Sequence, residues 1–445
     1  MTPPPAQVLD HPSSPATTGA PRPGRPGRGP SWLPRGGCTA AAAAVIRREW
    51  VACAFAVSAV FAAITALTSF NAPERVWGTF AAVTYGVAAV IAAAVRRRGV
   101  SLAVLASLGG AAAAPLAWMA VTGMAQPEVG VIIRSARMLV HHGTPYLSPA
   151  ALAAAHTWRA YDPYLPALIL FGIPRAFAGG PLTDPRIWFG VAFVATFGAA
   201  VRVAGVRRPV WWTALVTASP VVALPLAVGG DDLPVLGLVC LSLALAGRGR
   251  RCQWRWAAAA GLAVGLAAAM KATAWPALAV VAVLLAARQG WRAVCWFAAA
   301  ALGAALVTDG PVVAAHPAAA LVNTVLYPLG LTKAVSPAAS LLPGHMLAGA
   351  GGWGHSTALA LMALAGAGVC LWLIAGPPKN AHAAGWRLAL GLALLFLLAP
   401  ASRVGYFVYP LGLAAWLLLC RWPALPGDLS VDPEPQQRLA VLARH

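Results

Sequence analysis

QPEVGVIIRSARMLVHHGTPYLSPAALAAAHTWRAYDPYLP, residues Gln126 to Pro166, is polar, charged and aromatic at once, in a chain whose other segments are apolar enough to sit in a bilayer. Read as a loop held on the outer face of a membrane, it makes the remaining residues the frame around it. Composition supports that frame. Of the 445 residues 60% are hydrophobic and 10% charged, and the mean hydropathy is +0.72, where a soluble domain has about a quarter charged residues. Repeated Ala/Leu-rich runs near the roughly 20 residues needed to cross a bilayer predict one polytopic all-α domain. A β-barrel is excluded because the runs do not alternate every second residue.

The net charge of +20 suggests nucleic acid only in isolation. The arginines fall between apolar runs, which is the positive-inside pattern of membrane helices, so no nucleic-acid partner is expected. The seven cysteines show no pair at ligand spacing and argue against a disulfide framework or a zinc site. No metal or cofactor is expected.

In chain order, residues 1–44 are rich in Pro, Gly, Ser and Arg and read as a disordered cytoplasmic tail without a signal peptide. Residues 45–420 form the transmembrane domain, and residues 421–445 a second cytoplasmic tail. Apolar runs near residues 50–70, 76–95 and 100–122 cross in turn. The triplet Arg96, Arg97 and Arg98 sets the cytoplasmic side and delivers Gln126–Pro166 to the outside. The segment from Pro163 to Ala178, broken by Pro163, Pro166, Gly172 and Pro174, reads as a re-entrant pair of half-helices. Continued alternation gives about 12 membrane helices, both termini cytoplasmic, and a second outer loop from Asp309 to His355. Plasma membrane is the expected location.

Within the opening stretch, Pro127 suits the first helical position and Gly143 the C-terminal cap. Val129, Ile132, Ile133, Ala136, Leu139 and Val140 recur at helical spacing, with Arg134, Arg137 and His141 on the other face. This predicts an interfacial amphipathic helix, apolar face down. Glu128 taken alone is a helix-start acid near a positive helix end, and Arg134 and Arg137 are lipid-headgroup contacts. The second cluster, Tyr161, Asp162, Pro163 and Tyr164, brackets the same loop and turns the reading towards a site. Lys271 interrupts an apolar run, where a charge costs about 2.5–3.5 kcal/mol on insertion scales. Snorkelling to the interface competes with function there. Arg403 breaks the positive-inside pattern, and such an exception has a partner or a ligand.

The order of an acid at Glu128, a helix ending in GTPY at Gly143–Tyr146, and YDPYLP at Tyr161–Pro166 resembles glycosyltransferase family 87. AGLAVGLAAAMKATAWP around Lys271 and LLAPASRVGYFVYPL around Pro400–Leu411 add to the resemblance, which runs from about Glu128 to Leu419. It implies a glycosyltransferase-C-like membrane fold and a mannosyltransferase that uses a polyprenyl-phosphate sugar donor and an extracytoplasmic glycan or glycolipid acceptor. It further implies that Glu128 is the general base for the acceptor hydroxyl. A cation would steady the leaving phosphate, with Arg134, Arg137, Lys271 and Arg403 as candidates, and His345 on the second outer loop beside them. Tyr146, Tyr161 and Tyr164 are candidate sugar or acceptor contacts, or interface anchors.

Two departures stand out. The family acid is usually Asp, and Glu128 is one methylene longer, about 1.5 Å, which leaves Asp162 as an alternative acid. Asp231 and Asp232 replace a Gly-Gln pair and read as a solvated loop pair. A transporter or lipid flippase, for which charged membrane residues and a broken segment are suitable, and a catalytically degenerate scaffold are the competing readings. The absence of a repeat and the clustering of polar groups on one face favour a one-sided enzyme.

Overall fold

The structure is a computed structural model that describes residues 37–95, 98–248, 253–334 and 336–421. Most of the two expected tails, and Arg96 and Arg97 of the basic triplet, lie outside the described residues. Those residues form helices and one isolated β-bridge, Ala339 with Ser402. The chain is an all-α membrane protein.

Its main helices are α1 (Gly37–Thr68), α2 (Ala72–Ala94), α3 (Gly99–Thr122), α4 (Pro127–His142), α5 (Pro166–Phe177), α6 (Pro185–Val203), α7 (Pro209–Thr217) and α8 (Pro220–Val228). They continue as α9 (Asp232–Ala246), α10 (Gln253–Met270), α11 (Ala272–Gln289), α12 (Trp291–Thr308), α13 (Pro317–Leu326), α14 (Gly352–Ala375), α15 (Ala381–Leu398) and α16 (Val404–Cys420). The first of them starts inside the stretch counted as tail; its span-like part is Glu49–Thr68. Among the described residues eight helices are long and apolar enough to cross a membrane, or nine with the α7–α8 pair, bent by 65°, as one span. Helices α9, α10 and α16, counted in the expected twelve, fall short of a free-standing span in length or hydropathy. Their reason differs from a lipid-facing helix: α9 is buried almost throughout, from Asp232 to Ala246. A helix apolar all round is a core helix.

Broken backbone is satisfied from within, as a low-dielectric surrounding requires. At the α7–α8 break the Tyr85 hydroxyl donates to Ala218 O at 2.7 Å. A π-helical stretch in α3, Leu108–Ala113, leaves Ala111 O to the Trp77 indole N–H at 2.8 Å. Close helix packing is by small residues. A Cβ on Gly261 or Gly265 of α10 would meet the backbone of α12 at Phe297 or Ala301. Gly265→Ala is therefore expected to lower the thermal midpoint in detergent despite Ala's better helix propensity. Gly303→Ala, at a position with open space, leaves it unchanged or raises it, and the pair of melting curves checks the argument.

Helix α5 is two short α-helical pieces, Pro166–Ile169 and Ile173–Phe177, joined by a 3-10 turn at Leu170–Gly172, as the breaks in the sequence predict; at 1.5 Å per residue its 12 residues are too short to cross. Leu168 and Ile169 are fully buried in it, and the Leu165 N–H donates to Met270 O at 3.1 Å. Helix α4 has the predicted bounds, with Pro127 at its start and Gly143 left-handed at its cap (φ 72°). Its apolar face, however, is covered by protein. Gly172 of α5 lies against Ile132 O and Ala136, a spacing only a residue without Cβ allows, so Val129, Ile132 and Ala136 are buried where lipid was expected.

All the ends that meet α4 and α5 share one face of the bundle. Arg186, fully buried at the start of α6, clamps that face. It takes both oxygens of Asp184, at 2.9 and 2.7 Å, and donates to Met124 O and Ala227 O at 2.9 and 2.8 Å. The ends of α3 and α8 are thereby fixed beside α6.

Candidate active site

On this face opens a cavity of about 480 Å³. The loop between α4 and α5 supplies Trp158, Tyr161 and Tyr164, while Thr273 and Trp275 of α11 and Phe396 of α15 supply helix walls. Its charged lining is Glu128 and Arg403. The two meet in an ion pair across 275 residues of chain. Glu128 stands in the first turn of α4 because Pro127 starts that helix, and its carboxylate is mostly buried, with Oε2 lacking a partner. Arg403 sits on a short extended segment before α16. That segment is braced by Ser340, whose N–H donates to Ser402 O at 3.1 Å and whose Oγ accepts from the Val404 N–H at 3.1 Å. His345 Nδ1, 3.0 Å from Pro400 O, is a third brace. The arrangement holds one carboxylate oxygen against a guanidinium and leaves the other buried and unpartnered at the cavity wall.

Behind the cavity lies a buried charge cluster. Lys271 Nζ pairs with Asp231 at 2.8 Å and with Asp232. Asp232 also accepts from the Tyr409 hydroxyl at 2.8 Å, and Tyr409 in turn accepts from Thr273 at 3.0 Å. The Tyr164 and Tyr406 rings cover the ammonium, their centroids 5.1 and 5.6 Å away. Both rings line the cavity, so the cluster supports the cavity wall from behind. Thus Asp231 and Asp232 are not a solvated pair. They are buried at the start of the core helix α9, where the Lys271 ammonium offsets their charge.

Asp162 lies in the loop between α4 and α5, 1% exposed. Burial pushes its carboxyl up to about 7, while the Ser135 hydroxyl, the Tyr164 N–H and the Arg134 guanidinium pull it back. Asp309, at the end of α12, accepts from the Ala167 N–H at 3.1 Å and is pushed up by burial to about 6. Because Asp162 holds a proton between 3.8 and about 7 that the unfolded chain releases, its contribution to stability is full below about pH 4 and is lost as the pH rises through about 7. Asp162→Asn is expected to flatten that dependence. Thermal shifts at about pH 5 and about pH 8 should fall less in the variant than in the wild type.

A model of glycosyltransferase family 87 matches residues 163–400, just over half of the chain. The chain belongs to glycosyltransferase family 87. No curated protein and no solved structure matches it. A multi-pass membrane glycosyltransferase is what this membership, together with the apolar helices, makes of the protein. The family 87 match takes in Tyr164, Lys271 and His345 and leaves Glu128, Asp162 and Arg403 outside its two ends.

Of the residues singled out from sequence, the family 87 fold brings Glu128, Arg403, Tyr161 and Tyr164 to one cavity. The others go elsewhere. Lys271 does not face the cavity as a phosphate ligand, since two carboxylates take its ammonium. Arg134 donates to Arg159 O and to Tyr161 O, the latter at 3.2 Å, and so props the loop. Arg137 is exposed on the far face of α4. His345 is a brace, and Tyr146 is buried behind the lining, its hydroxyl donating to Tyr164 O at 2.8 Å. Asp162 likewise lies behind Tyr164 and not in the cavity lining. Sequence reasoning placed Tyr327 on the second loop without a role and did not single out Thr273, Tyr406, Tyr409 or Asn323. Only Tyr406 and Tyr409 carried a signal, one helical turn apart beside Arg403.

Proposed function

We propose that this glycosyltransferase moves a hexose, mannose first, from a polyprenyl-phosphate carrier to a lipid or glycan acceptor on the extracytoplasmic side of the plasma membrane, with both termini cytoplasmic. The observation that carries the reading is Glu128, with a buried, unpartnered Oε2 on the cavity wall and Arg403 on its other oxygen. Oε2 takes the proton of the acceptor hydroxyl as its oxygen bonds to the anomeric carbon. The bond from that carbon to the phosphate oxygen breaks, and the lipid phosphate leaves with the electron pair. Arg403 is placed to share its charge between Glu128 and that phosphate. Apolar walls from α11, α14 and α15 (Pro276, Met362 and Leu395) suit a prenyl chain.

The test is reconstitution in liposomes with radiolabelled polyprenyl-phosphate mannose and candidate glycolipid acceptors, with GDP-mannose in parallel. Transfer from the lipid-linked sugar alone is expected; transfer from the nucleotide sugar alone sinks the donor assignment. Sidedness is read by thiol labelling of Ser148→Cys, an exposed loop position, in a cysteine-free background. Reaction only in inside-out vesicles overturns the orientation.

A further inference from the structure

Two loops far apart in sequence meet at one edge of the cavity. Tyr161 of the first outer loop and Tyr327 of the second stack face to face, with ring centroids 4.4 Å apart and planes within 16°. Both rings line the cavity, as does Trp158. With Leu152 and Ala160 they form a small apolar cluster separate from the main core.

The joint between the loops is one buried side chain that the reaction does not use. Asn323 is fully buried, and its Oδ1 accepts from the N–H of Asp162, the residue after Tyr161, at 2.9 Å. Its Nδ2 donates to Ala319 O at 2.9 Å and faces Leu147 O at 3.4 Å. A single amide therefore ties α13 to the first loop on both sides of the Tyr161 segment. Asn323 stands in a π-helical turn, Val322–Leu326, where the Tyr327 N–H reaches back five residues to Val322 O at 3.0 Å. Such turns are rare and gather at functional sites. This one has Thr324, Val325 and Tyr327 on the cavity wall and Asn323 on the loop behind it.

We propose that Asn323 is a positioning residue whose amide fixes Tyr161 and Tyr327 as a rigid aromatic platform for a pyranose ring of the substrate. The proposal rests on the glycosyltransferase reading and names the surface that receives the sugar. The stacked pair is held from two sides and mostly covered, Tyr161 7% and Tyr327 5% exposed, so the parts of the two rings that reach the cavity form a fixed apolar wall that loses no rotamer freedom on binding, the property that makes tyrosine a strong contact residue. Glu128 and Arg403 handle charge at the cavity; neither offers a face to a sugar ring.

Binding to the full-length protein in detergent tests it by scintillation proximity. The probes are radiolabelled polyprenyl-phosphate mannose, sugar-free polyprenyl phosphate and octyl α-mannoside. Tyr327→Ala and Asn323→Ala are each expected to weaken a mannose-bearing probe about tenfold and to leave polyprenyl phosphate within twofold. The double variant should be no weaker than the worse single, because both act through one surface. Tyr327→Phe, which keeps the ring, should keep the affinity. Loss confined to the lipid-linked probe assigns the platform to the donor sugar, and loss confined to octyl mannoside assigns it to the acceptor. If Asn323→Ala does not fold, Tyr161→Ala replaces it against Tyr327→Ala in the same cycle. Single effects under fivefold, or effects that multiply in the double variant, overturn the platform. Wild-type protein that binds neither mannose-bearing probe overturns the mannosyl reading itself, and the platform with it.

Discussion

Glu128→Gln is expected to lower kcat for glycosyl transfer by about 10²- to 10⁴-fold, the ordinary loss for a general base, with the donor KM unchanged or lower. The amide matches the carboxylate in size and its carbonyl still accepts from Arg403, so the wall keeps its shape. What disappears is the basic Oε2, which has no other partner in the structure, and the negative charge that occupies Arg403. A guanidinium whose charge no carboxylate offsets favours an anionic donor, hence the direction for KM. Glu128→Asp separates basicity from reach. It keeps the charge and withdraws the carboxylate by about 1.5 Å, so part of the rate should survive, with the shortfall in kcat rather than KM. The rival base is Asp162. It is buried behind Tyr164, with its backbone tied to Asn323 and its Oδ1 to the Tyr164 N–H, and has no access to the cavity. Steady-state kinetics decide: undiminished kcat in Glu128→Gln together with loss in Asp162→Asn moves the base to Asp162.

The same pair shows what sequence makes legible. Helix α4 was readable to its ends, because Pro127 and Gly143 constrain the backbone locally, and the placing of Glu128 in its first turn followed. Arg403 was readable as an anomaly, a cation on the wrong side of the charge pattern, and so was its need for a partner. That the partner is Glu128 was not, since nothing local joins residues 275 apart. Lys271 failed for the same reason in a sharper form. GGDD before α9 has the composition of a solvated turn, and only the burial of α9 on all sides makes Asp231 and Asp232 interior. Sequence periodicity reports which face of a helix is apolar; it is silent when every face is. Likewise α4 was amphipathic as read, but whether lipid or protein covers an apolar face depends on Gly172 of α5 letting another backbone approach.

Lys271→Met should therefore fail in a way that a phosphate ligand would not. Removing the ammonium strands Asp231 and Asp232 together in the interior, and breaking a buried pair from one side costs about 3–5 kcal/mol. The expected result is a large fall in the detergent melting temperature and in membrane yield. The triple change Lys271→Met, Asp231→Asn, Asp232→Asn removes all three charges at nearly constant volume. It should recover most of the lost stability, because a neutral cluster no longer carries the desolvation penalty. Activity should not recover with it: Tyr164 and Tyr406 lie over the Lys271 ammonium, and without that anchor the cavity wall they form is less rigid. A donor-phosphate role makes the opposite forecast on both counts. In that case Lys271→Met would keep the melting temperature, lose donor affinity, and gain nothing from neutralising the two aspartates. Thermal melts and donor binding on the single and triple variants separate a cation that builds the site from one that binds the substrate.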